Sequence, residues 1–147
     1  MAQPGYNPMR WDCDSKGCFN VVKRPKIEVF NECFPGKINF GDVDGIVEIG
    51  GMALLLEWKP ARDELRTAQR IMYTNLSKDG KVTAIVVVGD AKTMEVTASQ
   101  YFWLGDRSEW KDCDLDYVKA FCGKWAKWAS GIRAWRADYE KHELAAD

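Results

Sequence analysis

Residues 42–59 read DVDGIVEIGGMALLLEWK, and this stretch decides the fold. Polar and apolar residues alternate in its first half, which is typical of a half-buried strand, and a more apolar run follows. Gly50-Gly51 between the two halves is a two-residue hairpin turn signal. The stretch therefore predicts an antiparallel hairpin in which Ile49 faces Met52.

Four charged side chains are expected at the open end of this hairpin. In the predicted register Asp44 stands opposite Glu57, and Asp42 stands opposite Lys59. Because side chains alternate along a strand, all four project from one face, away from the turn. The opposite face is the predicted core and carries Val43, Val47, Ile49, Leu54, Leu56 and Trp58. Glu57 and Lys59 are expected where this buried strand meets the surface.

The chemistry of this group admits two interpretations. Facing carboxylates have Cβ atoms roughly 5 Å apart, close enough to share one hard cation. A lysine beside the pair can orient a water molecule or help to deprotonate it. The alternative is a solvated hairpin end with a salt bridge from Asp42 to Lys59.

The regions around the hairpin complete a single domain. Periodicity predicts helices over 25–34 and 60–76, strands over 82–88 and 95–104, and a helix over 114–143 with an interruption at Gly123 or Gly131. The run over 82–88 is almost wholly apolar, which indicates burial on both faces. This order predicts an α/β sandwich, with a central mixed sheet flanked by helices and a long C-terminal helix.

Composition limits the class of protein. The chain has 147 residues, with 21 Lys+Arg against 22 Asp+Glu, which excludes a histone-like basic tail. We expect an irregular N-terminal arm over 1–22 and one domain over 23–147. No apolar run reaches the roughly 20 residues that cross a bilayer, and no signal-peptide core is present, so a cytoplasmic location is expected. His142 alone is a poor basis for a histidine triad.

The element order and the acidic hairpin resemble the PD-(D/E)xK nuclease superfamily over residues 25–88. Glu57-Trp58-Lys59 matches the Glu-x-Lys motif, and Asp44 lies at the matching hairpin position. Gln69 and Tyr73 look like the Gln-x-x-x-Tyr element of the lambda-exonuclease-like and recombination-nuclease branches. The virus-type replication-repair nuclease module is similar as well. The resemblance implies a restriction-endonuclease-like fold.

The resemblance also implies a role for each matching residue. Asp44, Glu57 and the backbone carbonyl of Trp58 would bind Mg²⁺ or Mn²⁺, and Lys59 would position the attacking water. Gln69 and Tyr73 would orient Lys59 or the phosphate. Glu28 would lie near a second metal ion, and Glu32, one turn later, competes for that role.

The sequence departs from the family pattern in three places. Val43 stands where many members have Pro, Asp42 has no assigned role, and the histidine found upstream in the recombination-nuclease branch is missing. The expected activity is Mg²⁺- or Mn²⁺-dependent hydrolysis of DNA phosphodiesters, as an endonuclease or an exonuclease. The alternative is an inactive module of the same fold that binds nucleic acid or a protein partner.

Aromatic residues recur at helical spacing near the C-terminus. We interpret this stripe as packing rather than as base stacking; it comprises Tyr117, Phe121, Trp125, Trp128, Ile132, Trp135 and Tyr139. Two sets of basic residues are candidates for contacts with nucleic-acid phosphates, Lys124 and Lys127 beside the stripe and Lys23, Arg24 and Lys26 before Glu28. Solvated cationic surfaces are the alternative.

Five cysteines make an odd set, which argues against a disulfide scaffold. Cys13 and Cys18 have a spacing compatible with half of a zinc site, and a site shared with Cys113 and Cys122 is conceivable. Unligated thiols are the favoured interpretation. The size of the domain leaves room for a homo-oligomer or a protein partner that helps to hold the substrate.

Overall fold

The computed structural model describes residue 25 and residues 27–145, apart from the side chains of residues 135, 138, 139 and 142–145. The predicted arm over 1–22 lies outside the described residues. The chain divides into two compact units, Met1–Asp42 and Val43–Asp147. In the first unit the predicted helix is a 3-10 helix over Ile27–Cys33, and within that helix no residue is buried.

The second unit is built on a mixed sheet, with six strands in the described part of the chain. β1, β2, β3, β4 and β5 are neighbours in that order, and β6 also pairs with β4. The strands are β1 (Gly45–Ile49), β2 (Met52–Lys59), β3 (Val82–Gly89), β4 (Val96–Trp103), β5 (Asp106–Arg107) and β6 (Lys111–Asp112). Only the β2–β3 pair is parallel among these pairings. The prediction of a mixed sheet is confirmed.

The hairpin has the predicted register. Ile49 pairs with Met52, and pairing continues to Gly45 opposite Leu56. Gly50 and Gly51 have φ angles of 60° and 89°, the positive values that a two-residue type I′ turn requires at both central positions. β1 begins at Gly45, three residues later than the predicted start at Asp42, so Asp44 lies just before the first paired residue rather than within the strand.

A helix connects the two parallel strands, as a β–α–β crossover requires. This helix, α1, covers Thr67–Leu76. The predicted start at residue 60 was wrong, because a separate 3-10 helix over Arg62–Glu64 comes first. Leu65 between them has extended angles, φ −72° and ψ 110°, and its side chain is buried. Burial of this leucine therefore interrupts the helical path.

The sheet is packed on both faces, as the apolar run over 82–88 predicted. On the α1 face, Leu55 packs with Tyr73, Val86 and Phe102. On the other face, Leu54 of β2 and Ile85 and Val87 of β3 pack against α2 (Leu115–Ala145), which contributes Trp125 and Ala129. Val43 and Val47, predicted in the core, are 40% and 46% exposed because they lie on or before the edge strand.

The C-terminal helix α2 is continuous through Gly123 and Gly131. The packing role of its aromatic stripe is confirmed by Trp125, which is buried, and by Trp128, whose ring meets Trp103 edge to face at 5.2 Å. Side chains of Trp135 and Tyr139 are outside the description. Within the described residues, no helix combines the length and apolarity needed to span a membrane.

Candidate functional site

The centre of the candidate site is a buried carboxylate, Glu57 in β2. Glu57 lies two residues after Leu55 in the strand, so both side chains point to the α1 face of the sheet. Glu57 is only 5% exposed there. We expected Glu57 at the surface, and this was wrong because α1 covers the end of β2. A buried carboxylate is strongly unfavourable unless nearby groups donate hydrogen bonds to it or pair with its charge.

Among the described residues, three donors reach this carboxylate. The Gln69 amide donates to Oε1 at 3.0 Å, and the Tyr73 hydroxyl donates to Oε2 at 2.5 Å. The Lys59 ammonium lies 3.1 Å from Oε1. An ionised carboxylate has about four acceptor directions. The described contacts therefore leave one direction, on Oε2, for a further partner.

The start of α1 explains why Gln69 points at the carboxylate. Gln69 is the third residue of the helix, and its Oε1 accepts a hydrogen bond from the backbone N–H of Arg66 at 3.2 Å. This contact is one half of a capping box. Because the amide oxygen is held by the helix terminus, the NH₂ group of Gln69 is turned toward Glu57.

Tyr73 lies one helical turn further and is completely buried. Burial is the largest cause that raises the pKa of its phenol, followed by the hydrogen bond to Glu57 and the negative charges of Glu57 and Asp44. The phenol therefore stays protonated and acts as a hydrogen-bond donor. The contribution of Asp44 indicates that its charge lies near the same site. Gln69 and Tyr73 thus contact Glu57, whereas we predicted contacts to Lys59 or phosphate.

Asp44 is fixed beside the backbone of β2. Its Oδ2 accepts a hydrogen bond from the backbone N–H of Trp58 at 2.6 Å. In an extended strand the N–H and C=O of one residue point to the same side, so the Trp58 carbonyl also faces the β1 side. The Trp58 ring lies on the α2 side, where its Nε1 donates to the Gly89 carbonyl at 3.0 Å.

These oxygen groups have the chemistry that a magnesium or manganese ion requires. Carboxylates and backbone carbonyls are hard ligands, and Mg²⁺ is usually held by one or two carboxylates. Asp44, Glu57 and the Trp58 carbonyl meet this description at one end of β2. Nowhere in the described ranges do three or more His, Cys, Asp or Glu residues gather in a way that could hold a metal. The Trp58 carbonyl is therefore needed to complete a three-ligand set.

The other predicted site residues fall into three groups. Glu28, Glu32 and Asp42 belong to the first unit, which is described separately. Lys124 and Lys127 are exposed on α2, and α2 packs on the face of the sheet opposite Glu57. The nucleic-acid candidates Lys23, Arg24 and Lys26 lie outside the described residues, as do the zinc candidates Cys13 and Cys18.

The two C-terminal cysteines have structural surroundings. Cys113 Sγ lies 3.3 Å from the Ser99 hydroxyl, and Cys122 is half-buried against the α2-side core. Burial raises the pKa of the Cys122 thiol, which disfavours the thiolate that would bind a metal. This supports the interpretation of both as unligated thiols.

Sequence reasoning did not single out Gln100, which lies in the same row of the sheet as Glu57. Register places Glu57 beside Val86 and Val86 beside Gln100, all on the α1 face. Gln100 is 5% exposed. The available signal was a polar residue at an inward position of the strand predicted over 95–104.

Comparisons with known proteins give no family model, no curated protein and no solved structure that matches this chain. The resemblance to the nuclease superfamily therefore rests on the residues of the hairpin and of α1.

Proposed function

We propose that this protein is a metal-dependent nuclease that hydrolyses DNA phosphodiesters, with a restriction-endonuclease-like arrangement of its sheet and helices. The observation that carries the proposal is the buried Glu57 carboxylate, which contacts Lys59, Gln69 and Tyr73 while Asp44 lies on the backbone of Trp58. These residue types are the ones that the Asp…Glu-x-Lys pattern uses for phosphodiester hydrolysis.

The proposal gives each contact a chemical purpose. Tyr73 and Gln69 hold the Glu57 carboxylate fixed in direction, since both donate hydrogen bonds to it. Asp44 supplies a second carboxylate at the end of β2. Lys59 is the positively charged group of the set, and its side chain is 16% exposed, compared with 6% for Glu57. It can turn from Glu57 to the substrate phosphate and stabilise negative charge that develops there.

A divalent cation bound by Asp44, Glu57 and the Trp58 carbonyl would polarise the phosphate and favour ionisation of the attacking water. The protein groups would do the positioning. Glu57 would hold the cation while the Tyr73 and Gln69 hydrogen bonds keep its carboxylate in place.

The test is a cleavage assay with purified protein, using circular, linear, single-stranded and branched DNA with Mg²⁺ or Mn²⁺. Asp44→Ala, Glu57→Gln and Lys59→Met should each lower the cleavage rate by about a hundredfold or more, since loss of one group that stabilises developing charge costs roughly that much. Glu48→Ala is the matched control, because Glu48 is an exposed carboxylate of the same hairpin. Full activity in the folded site variants would refute the assignment.

A non-catalytic module that binds nucleic acid or a protein partner is the second candidate. The observation that favours it is the salt bridge of Lys59 to Glu57. A lysine whose function is only structural would form this same ion pair with the buried carboxylate. Calorimetry separates the two functions. Heat of Mn²⁺ binding that disappears in Asp44→Ala supports the nuclease, and DNA binding without any metal binding supports the module.

A further inference from the structure

A polar cavity opens on the same face of the sheet as Glu57, beyond the start of α1. Its volume is about 290 Å³, near the lower end of the roughly 300–1,000 Å³ typical of small-molecule sites. Its lining brings together three arginines, one aspartate, one buried amide and one tryptophan, namely Arg62, Arg70, Arg107, Asp63, Gln100 and Trp110. A cavity with this lining is suited to an anion.

Two of the three arginines have no acidic partner among the described residues. Arg62 is bound to Asp112 and lies over the Trp110 ring, 5.6 Å from its centroid. Within the described part of the chain, neither Arg70 nor Arg107 forms an ion pair. Arg guanidinium groups bind phosphate through a planar set of N–H donors. Arg70 and Arg107 are therefore the expected phosphate ligands.

Two residues of the cavity lining each carry a buried polar atom that has no partner within the described part of the chain. Gln100 donates its NH₂ group to the Ser108 carbonyl at 2.7 Å, and its Oε1 has no hydrogen-bond partner among the described residues. The same holds for Nε of Arg70, whose NH2 donates to the Thr67 hydroxyl at 3.0 Å. Buried polar atoms normally have partners. A ligand with anionic oxygens and a hydroxyl or N–H group, such as a nucleotide, offers partners of both kinds.

A second cavity on the same side of α1 favours an extended ligand. Its volume is about 490 Å³, and its lining includes Arg70, Arg107, Thr74 and Gly105. The two arginines therefore border both spaces, and we call the surface that carries them the Arg70–Arg107 groove. A single inorganic phosphate would fill a small part of this groove, whereas a polynucleotide strand could follow it.

The cavity is close enough to Glu57 for one nucleic-acid strand to reach both. Gln100 is two strands away from Glu57 in the same row, and strands are spaced by about 4.8 Å, so their backbones are roughly 10 Å apart. Because this separation is short, a nucleic-acid strand bound at Glu57 can place a nearby phosphate in the groove. We propose that the Arg70–Arg107 groove binds a phosphate of the nucleic-acid strand a few nucleotides from the phosphodiester at Glu57. This assignment of the strand rests on the proposed nuclease function.

The test measures binding without catalysis. Protein in EDTA is titrated with a short single-stranded DNA, a deoxynucleoside 5′-monophosphate and inorganic phosphate, with calorimetry as the readout. Arg107→Gln and Arg70→Gln should weaken DNA binding by about tenfold each, the loss expected for one charge-assisted hydrogen bond. Lys81→Gln removes the same charge at the opposite end of β3 and should change affinity less than twofold. Thermal unfolding checks that each variant is folded.

The outcomes separate this inference from the nuclease proposal. If Arg107→Gln weakens DNA binding but the protein never cleaves DNA, the groove assignment is supported and the nuclease proposal is contradicted. If Arg107→Gln and Lys81→Gln cleave DNA with the same KM, the nuclease proposal is supported and the groove assignment is contradicted. Inorganic phosphate or the monophosphate binding as tightly as DNA also overturns the inference, because the groove would then hold a small free anion.

Discussion

Replacement of Tyr73 by phenylalanine tests whether the buried network is held together as described. The substitution removes the hydroxyl that donates to Glu57 Oε2 at 2.5 Å, and it keeps the ring against Phe102, 5.7 Å away between centroids. A hydrogen bond to a charged group contributes about 1.5–3 kcal/mol, and the gain of a more apolar ring offsets part of this. We expect a loss of about 1–3 kcal/mol in the free energy of unfolding.

Urea unfolding followed by tryptophan fluorescence measures this loss, and a double-mutant cycle with Glu57→Gln locates its origin. Tyr73→Phe should be less damaging in the Glu57→Gln background, because the hydroxyl no longer serves a buried charge. Tyr101→Phe is the control, since Tyr101 is 40% exposed and packs by its ring against Phe121. Equal losses for Tyr73→Phe in both backgrounds would show that the hydroxyl does not act through the carboxylate.

Three further predictions concern the turn, the long helix and the thiols. Gly50→Ala should destabilise the protein by about 1–2 kcal/mol or more, because φ is +60° and the new Cβ would lie 2.5 Å from Cβ of Arg133; an unchanged urea midpoint would contradict this. Gly123→Ala should stabilise the protein by about 0.5–1 kcal/mol, since this helical site is open among the described atoms. At pH 8, iodoacetamide should modify exposed Cys33 before Cys122, whose raised pKa leaves less thiolate, and peptide mass spectrometry that found equal rates would refute the burial of Cys122.

Local signals predicted the hairpin because they act over a few residues. Two glycines with positive φ fix the turn, and the turn then fixes the register along β1 and β2. The two-residue strands β5 and β6 could not be predicted, since such short segments have no measurable periodicity. The start of α1 was misplaced because the burial of Leu65 is a tertiary effect.

The candidate site was predicted in part for the same reason. Register alone placed Asp44 near Glu57, and helical spacing placed Gln69 and Tyr73 on one side of α1. Neither signal states which face of the sheet the helix covers. The surface position expected for Glu57 was therefore wrong, and the contacts of Gln69 and Tyr73 to its carboxylate had to be read from the fold.

The cost of the network argues for a function at Glu57. A buried ion pair can often be replaced by apolar residues of similar volume without loss of stability. The α1-side core already contains well-packed apolar residues, and Leu55 lies two positions before Glu57 on the same face. A leucine at Glu57 would extend this core and need neither Lys59 nor Gln69. Because such a replacement would keep a similar volume, stability is a weak reason for a buried carboxylate held by three donors, and the proposed role of Glu57 as a cation ligand supplies another reason.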